Sequence, residues 1–204
     1  MRCLAAVRNK EIMTIKRKDN ILRVLLAGLT LSVALSCSDG FSFTDYPCRV
    51  VIDNSIHQDI SLASAMNAAS PGVFCTISVS EGRKQYTFRN NIGQETTVNF
   101  NAVDERASRI VGMNNAIIIG YGTLSGEFMA FDRECPMCFD PNAVPVRSRP
   151  LNVDGTGTAQ CSSCSRKYDI NNYGICISEG GGKGMNRYRC STTGPFGILS
   201  VTNR

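Results

Sequence analysis

The sequence predicts a mainly β domain, an antiparallel β-sandwich or partial barrel with one short helix. Three observations point there. Beyond residue 45 the chain is a succession of short apolar runs separated by turn residues. A single segment combines helical spacing with both a start and a stop signal. No repeat of roughly 20–50 residues, proline-rich linker or block of like charge divides the chain, which suits one domain.

The elements follow in order. Val50-Val51-Ile52 reads as the first strand. Residues Asp59–Ala69 read as the helix, with Asp59 or Ser61 as its cap and Ser70-Pro71-Gly72 as its stop. Strands are expected at Val73–Val79, Tyr86–Phe88, Thr96–Phe100 and Ala116–Tyr121. The turn Leu124-Ser125-Gly126 leads into Phe128–Phe131, and the Asp154-Gly155 turn joins Leu151–Val153 to Thr158–Gln160. Tyr168–Ile170, Arg187–Arg189 and Gly197–Val201 complete the set.

The first 37 residues read as an address rather than as part of the fold. Lys16-Arg17-Lys18 precedes an apolar run of 12 residues, Val24–Leu35, and then Ser36-Cys37. A basic segment, a short apolar core and small residues make the secretory pattern. The run is shorter than the roughly 20 residues that span a bilayer as a helix. Ala34-Leu35-Ser36-Cys37 resembles the lipobox of bacterial lipoproteins, which implies lipidation at Cys37 and a membrane anchor in the cell envelope, outside the cytoplasm. Met13 offers a second start for the same leader. The expected organisation is thus a signal peptide over 1–37, a tether over 38–45 and a β domain over 46–204.

Charge supports that division. The segment before Cys37 carries seven Lys/Arg and two acids, whereas the remainder carries fifteen of each sign. The domain is therefore neutral overall, which excludes an electrostatic case for nucleic acid. Its lone histidine, His57, argues against His-rich metal sites and against a Ser-His-Asp hydrolase. It reads as a surface or loop residue. With no catalytic constellation in view, no enzyme is expected, and no small-molecule substrate is identified.

Ten cysteines are the chain's most unusual feature. Cys135-Pro136-Met137-Cys138 and Cys161-Ser162-Ser163-Cys164 form two knuckles with 22 residues between them. A CxxC turn aims both sulfurs at one point, with backbone N–H groups facing them. Two such turns suit tetrahedral Zn²⁺ or iron. Oxidation of the knuckles to disulfides is the competing outcome in an exported chain. Of the rest, Cys48 and Cys75 flank the expected helix, and Cys176 and Cys190 flank Gly180-Gly181-Gly182-Lys183-Gly184. Structural disulfides 48–75 and 176–190 are the expected pairing.

The surroundings of the knuckles carry a resemblance. The stretch Tyr121–Pro136, with Phe131-Asp132 running into Cys135-Pro136, resembles the strand, turn, strand and first ligand loop of Rieske-type [2Fe–2S] proteins. Cys161–Ile170 resembles the family's second ligand loop and the strand after it, and Gly197–Val201 its closing strand. The likeness covers roughly residues 116–203. It implies a Rieske-like β domain in which Cys135 and Cys161 are metal ligands. At the family's two histidine positions this chain has Met137 and Cys164. Cys138 and Cys164 restore a count of four. Three states are open: a Cys₄ zinc site, which is preferred, an all-Cys iron–sulfur centre passing electrons to an envelope partner, or a metal-free module stapled by disulfides.

Smaller expectations complete the reading. Gly180–Gly184 is a flexible hairpin tip, Met137 a gap-filling side chain, and Arg147, Arg149 and Arg166-Lys167 a solvated basic rim beside the knuckles.

Overall fold

A computed structural model describes residues 42–203. The leader, Cys3, the lipidation candidate Cys37 and the start of the tether lie outside the described residues. No helix among the described residues is long and apolar enough to cross a membrane.

The domain is mainly β, as expected. In chain order its elements are β1 (Arg49–Asp53), α1 (Asn54–His57), α2 (Ile60–Ala65), β2 (Phe74–Ser80), β3 (Gln85–Asn90), β4 (Glu95–Asn99), α3 (Ala102–Arg106), β5 (Ala116–Tyr121) and β6 (Phe128–Asp132). There follow β7 (Leu151–Val153), β8 (Thr158–Cys161), β9 (Lys167–Asp169), β10 (Ile175–Cys176), β11 (Arg187–Thr192) and β12 (Ile198–Thr202). Among the described residues, three short α-helices and two 3₁₀ turns, Glu81–Arg83 and Ile170–Asn172, thus stand where one helix was expected. The expected one is α2, capped by Asp59 Oδ1 accepting from Leu62 N at 2.8 Å. It ends at Ala65 rather than Ala69. The other two α-helices are single turns, too short to show a helical period.

Eight strands form one curled antiparallel sheet in the order β1-β12-β11-β6-β5-β2-β3-β4. The second sheet, β10-β9-β8-β7, lies in sequence between β6 and β11, which are themselves neighbours in the first. It is therefore an insertion laid on one face of the large sheet. Strand alternation gives the two faces separate cores. Cys75, Ile77 and Val79 of β2 point to one side, with Tyr86, Phe88, Ile117, Ile119, Leu199 and Val201. There α2 covers them with Leu62, Ala65 and Met66. Phe74, Ile118, Met129 and Phe131 point to the other side, where Leu151, Ala159, Tyr168 and Ile170 of the inserted layer meet them. Gly174 is required at this seam. Its φ is +72°, and a Cβ there would lie 2.8 Å from Phe131.

Two expectations are corrected here. The side chain of His57 is not at the surface; it is only 5% exposed, with Nε2 3.0 Å from Asp104 Oδ2 and its ring edge-on to Tyr86. The partner comes from α3, a turn fixed by the reciprocal cap of Asn101 and Asp104. No local pattern around residue 57 announces a partner so far along the chain. The glycine run 180–184 is not a hairpin tip either. It crosses from β10 in the small sheet to β11 in the large one, so the strands on either side are not paired.

Candidate metal centre

The two knuckles sit on the loop between β6 and β7 and on the loop between β8 and β9. Cys135 follows β6, and its N–H donates to Arg149 O at 2.9 Å, while Leu151 N donates to Arg133 O at 2.7 Å. Those bonds fold residues 134–150 into a loop that starts and ends at one place. Cys161 closes β8 directly opposite Leu151. The same strand pair therefore carries both knuckles to the same end of the layer. Within each knuckle the backbone turns sharply: Phe139 N donates to Cys135 O at 3.0 Å, and Ser165 N to Cys161 O at 2.9 Å. Ser165 takes a left-handed conformation, φ 58°, to complete the second turn.

The result is a close group of four sulfurs. Every Sγ of Cys135, Cys138, Cys161 and Cys164 lies within 4.8 Å of the others. Cys135 Sγ and Cys164 Sγ are 3.8 Å apart. A tetrahedral ion with metal–sulfur bonds of about 2.3 Å needs sulfurs about 3.8 Å apart, so the donor set fits one such ion. In a binuclear cluster the two ligand pairs sit on different irons and are held further apart. The compact group therefore suits a single ion. Cys135 and Cys161 are buried and Cys138 and Cys164 half-buried, so the ion would be reached from one side.

The electrostatics favour a thiolate at one corner. Desolvation opposes ionisation of Cys164, but the Arg166 backbone N–H and the other three thiols outweigh it and bring its pKa down to about 7. Burial pushes Cys135 up, against a bond from the Tyr168 hydroxyl and the Met137 N–H, and burial likewise pushes Cys138 up. A metal ion held by these four residues would supply the charge that ionises them.

Behind the sulfurs lie Tyr168 and Glu134, to which sequence reasoning assigned no role, and Asp132, named there only as part of the stretch that runs into the first knuckle. Tyr168 is fully buried, and its hydroxyl lies 3.6 Å from Cys135 Sγ. Glu134 is buried beside the first ligand and accepts from Ser148 Oγ at 2.6 Å, Arg149 N at 2.5 Å and Asn114 Nδ2 at 2.8 Å. It ties the long loop beneath the knuckle. Asp132 accepts from Met113 N, Glu134 N and Tyr188 Oη, each at 2.7 Å. Burial raises its pKa above the usual carboxylate range in spite of those bonds. Two acids immediately before a ligand knuckle were a visible signal, because carboxylates are rarely buried without donors to hold them.

Other expected roles change. None of the eight described cysteines is in a disulfide, so the pairs 48–75 and 176–190 are not formed. Four strands stand between β1 and β2 in the large sheet, while a disulfide needs Cα atoms within about 7 Å. Cys176 packs against the second core and Cys190 against the first, on opposite faces of the large sheet. Met137 fills no gap, being 46% exposed at the tip. Of the basic rim, Arg147 and Lys167 are exposed as expected, whereas the Arg166 guanidinium is drawn towards the Cys164 sulfur, which raises its pKa.

No family model matches the chain, and neither a curated protein nor a solved structure matches it.

Proposed function

We propose that the protein is an exported, lipid-anchored, Rieske-like module in which one zinc ion, held by Cys135, Cys138, Cys161 and Cys164, fastens the two ligand loops. The observation that carries this reading is the convergence of four sulfurs from two loops into one group within 4.8 Å. Soft thiolates select zinc or iron, and four protein ligands leave no open position, the mark of a structural rather than a catalytic site. The likeness of residues 121–136 and 161–170 to the two Rieske ligand loops supports the Rieske-like part of the proposal. The basic-apolar leader and Cys37 support export and anchoring. No reaction is assigned, and the partner, if electrons or contacts are passed on, is another envelope protein.

Free thiols outside the cytoplasm need protection, and burial supplies it. Desolvation pushes Cys48 up to about 11 and Cys190 up to about 12, and it pushes Cys75 further still. At neutral pH these three present almost no thiolate, the form that oxidises. The four knuckle thiols are shielded by the ion instead.

Elemental analysis with thiol counting, on protein purified from its own cells without chelator, tests the reading. One zinc per chain, with four further thiols becoming reactive after chelation, is the expected result. Iron with visible absorption replaces zinc by the electron-transfer reading. No metal, with both knuckles oxidised, removes the metal reading altogether. The intact mass of the same preparation is expected to show a chain beginning at an acylated Cys37; a chain still carrying its leader contradicts the anchor.

A further inference from the structure

The inserted layer leaves part of the face on which it lies uncovered. Across that face the large sheet presents two rows of cross-strand neighbours. One runs Arg89, Thr76, Ile118, Phe131, and the other Thr87, Ser78, Ala116, Arg133. The apolar members, Ile118 and Phe131, lie under the small sheet. The hydroxyl-bearing members, on β2 and β3, do not. They form a polar floor bounded on one side by the edge strand β7, through Leu151 and Val153. The groove between holds a cavity of about 140 Å³. One ordered water needs roughly 10–15 Å³ of such space, so a small ligand fits with solvent to spare.

Two guanidinium groups border this cavity. Arg133 reaches it across the small side chain of Ala116, and its Nη1 donates to Ser78 Oγ at 3.4 Å, a long bond. Among the described residues no ion pair holds it. Arg89 stands at the rim, its Nε 3.8 Å from Glu95 Oε2. Among the residues lining the groove, two cations and one carboxylate leave one positive charge in excess, over a floor of three hydroxyls from Thr76, Ser78 and Thr87. A guanidinium fork with neighbouring hydroxyl donors recognises planar or tetrahedral oxygen anions.

We propose that this groove is a binding site for a small oxyanion, a carboxylate or phosphate group, held by Arg133 at its floor and Arg89 at its rim. The proposal stands apart from the metal reading, because none of these side chains is a ligand of the ion. The anion replaces the weak contact of Arg133 with Ser78 by a charge-assisted one, and it competes with Glu95 for Arg89.

Calorimetric titration of the full-length, metal-loaded protein with inorganic phosphate, with acetate, and with chloride at matched ionic strength tests it. Saturable binding of phosphate or acetate, absent with chloride, is expected, and the tighter of the two names the source of the oxyanion. Arg133→Gln is expected to weaken binding about tenfold, the loss of one charge-assisted contact. Glu95→Gln is expected to tighten it, a gain that a purely structural role cannot produce. Arg89 is mostly exposed, so Arg89→Gln weakens binding without unfolding the chain and keeps the test open should Arg133→Gln misfold. Metal content, measured in each variant, shows whether the nearby knuckle has been disturbed. An equal response to chloride, or affinity unchanged in both Arg89→Gln and Glu95→Gln, overturns the proposal.

Discussion

Replacing Cys161 by serine is expected to abolish stoichiometric metal binding and to lower the unfolding midpoint sharply. Cys161 is fully buried in the second core and joins β8 to its knuckle. The substitution removes one of four soft ligands and leaves a hydroxyl in an apolar layer. The uncompensated hydroxyl alone costs about 1–3 kcal/mol. Loss of the ion removes far more, because structural zinc contributes on the order of 10 kcal/mol of apparent binding energy that is also folding energy. Cys75→Ser is the matched control. Cys75 is just as buried but lies in the first core, remote from the knuckles. It is expected to cost stability while leaving one metal per chain. Metal analysis paired with urea unfolding of both variants checks the contrast, and equal metal loss in the two would contradict it.

Phe131→Ala is expected to produce the largest loss that comes from packing alone, about 3–5 kcal/mol. Phe131 is fully buried on β6, facing the inserted layer and packed close to Gly174. It fills the seam between the two sheets. Its removal leaves a cavity at the seam beside Gly174 and Met185. The sulfurs, however, are set by the knuckle turns and the β7–β8 pair rather than by this ring. Metal stoichiometry is therefore expected to stay at one per chain under native conditions. Denaturant unfolding followed by circular dichroism, together with metal analysis, reads both halves. A loss below about 1 kcal/mol would show that the layers are not joined at this residue.

The two substitutions separate what the sequence could reveal from what it could not. Strands with alternating or continuous apolar character, such as Phe74–Ser80 and Ala116–Tyr121, were legible because each face of a strand repeats every second residue. The knuckles were legible because a CxxC turn is a local device whose geometry travels with its four residues. Their convergence was an expectation from the doubled CxxC pattern, and it is realised by the pairing of Leu151 with Cys161. Helix α3 was missed because five residues give no period, although Asn101 and Asp104 carry a capping pattern. The expected disulfides failed for a topological reason. Closeness in sequence, as for Cys176 and Cys190, says nothing about which face of a sheet each residue takes. His57, Glu134 and Tyr168 find their partners through tertiary contacts, and no window of sequence displays those.

The central claim is that four sulfurs from two loops hold one ion tetrahedrally, and cobalt substitution tests it most directly. Metal-free, reduced protein titrated with Co²⁺ is expected to saturate at one ion per chain and to show the intense visible bands and sulfur-to-metal charge-transfer absorption of a tetrahedral tetrathiolate. Zinc is expected to displace the cobalt and erase the spectrum. Weak octahedral bands, a stoichiometry of one ion per knuckle, or a spectrum unchanged in Cys161→Ser would contradict the account.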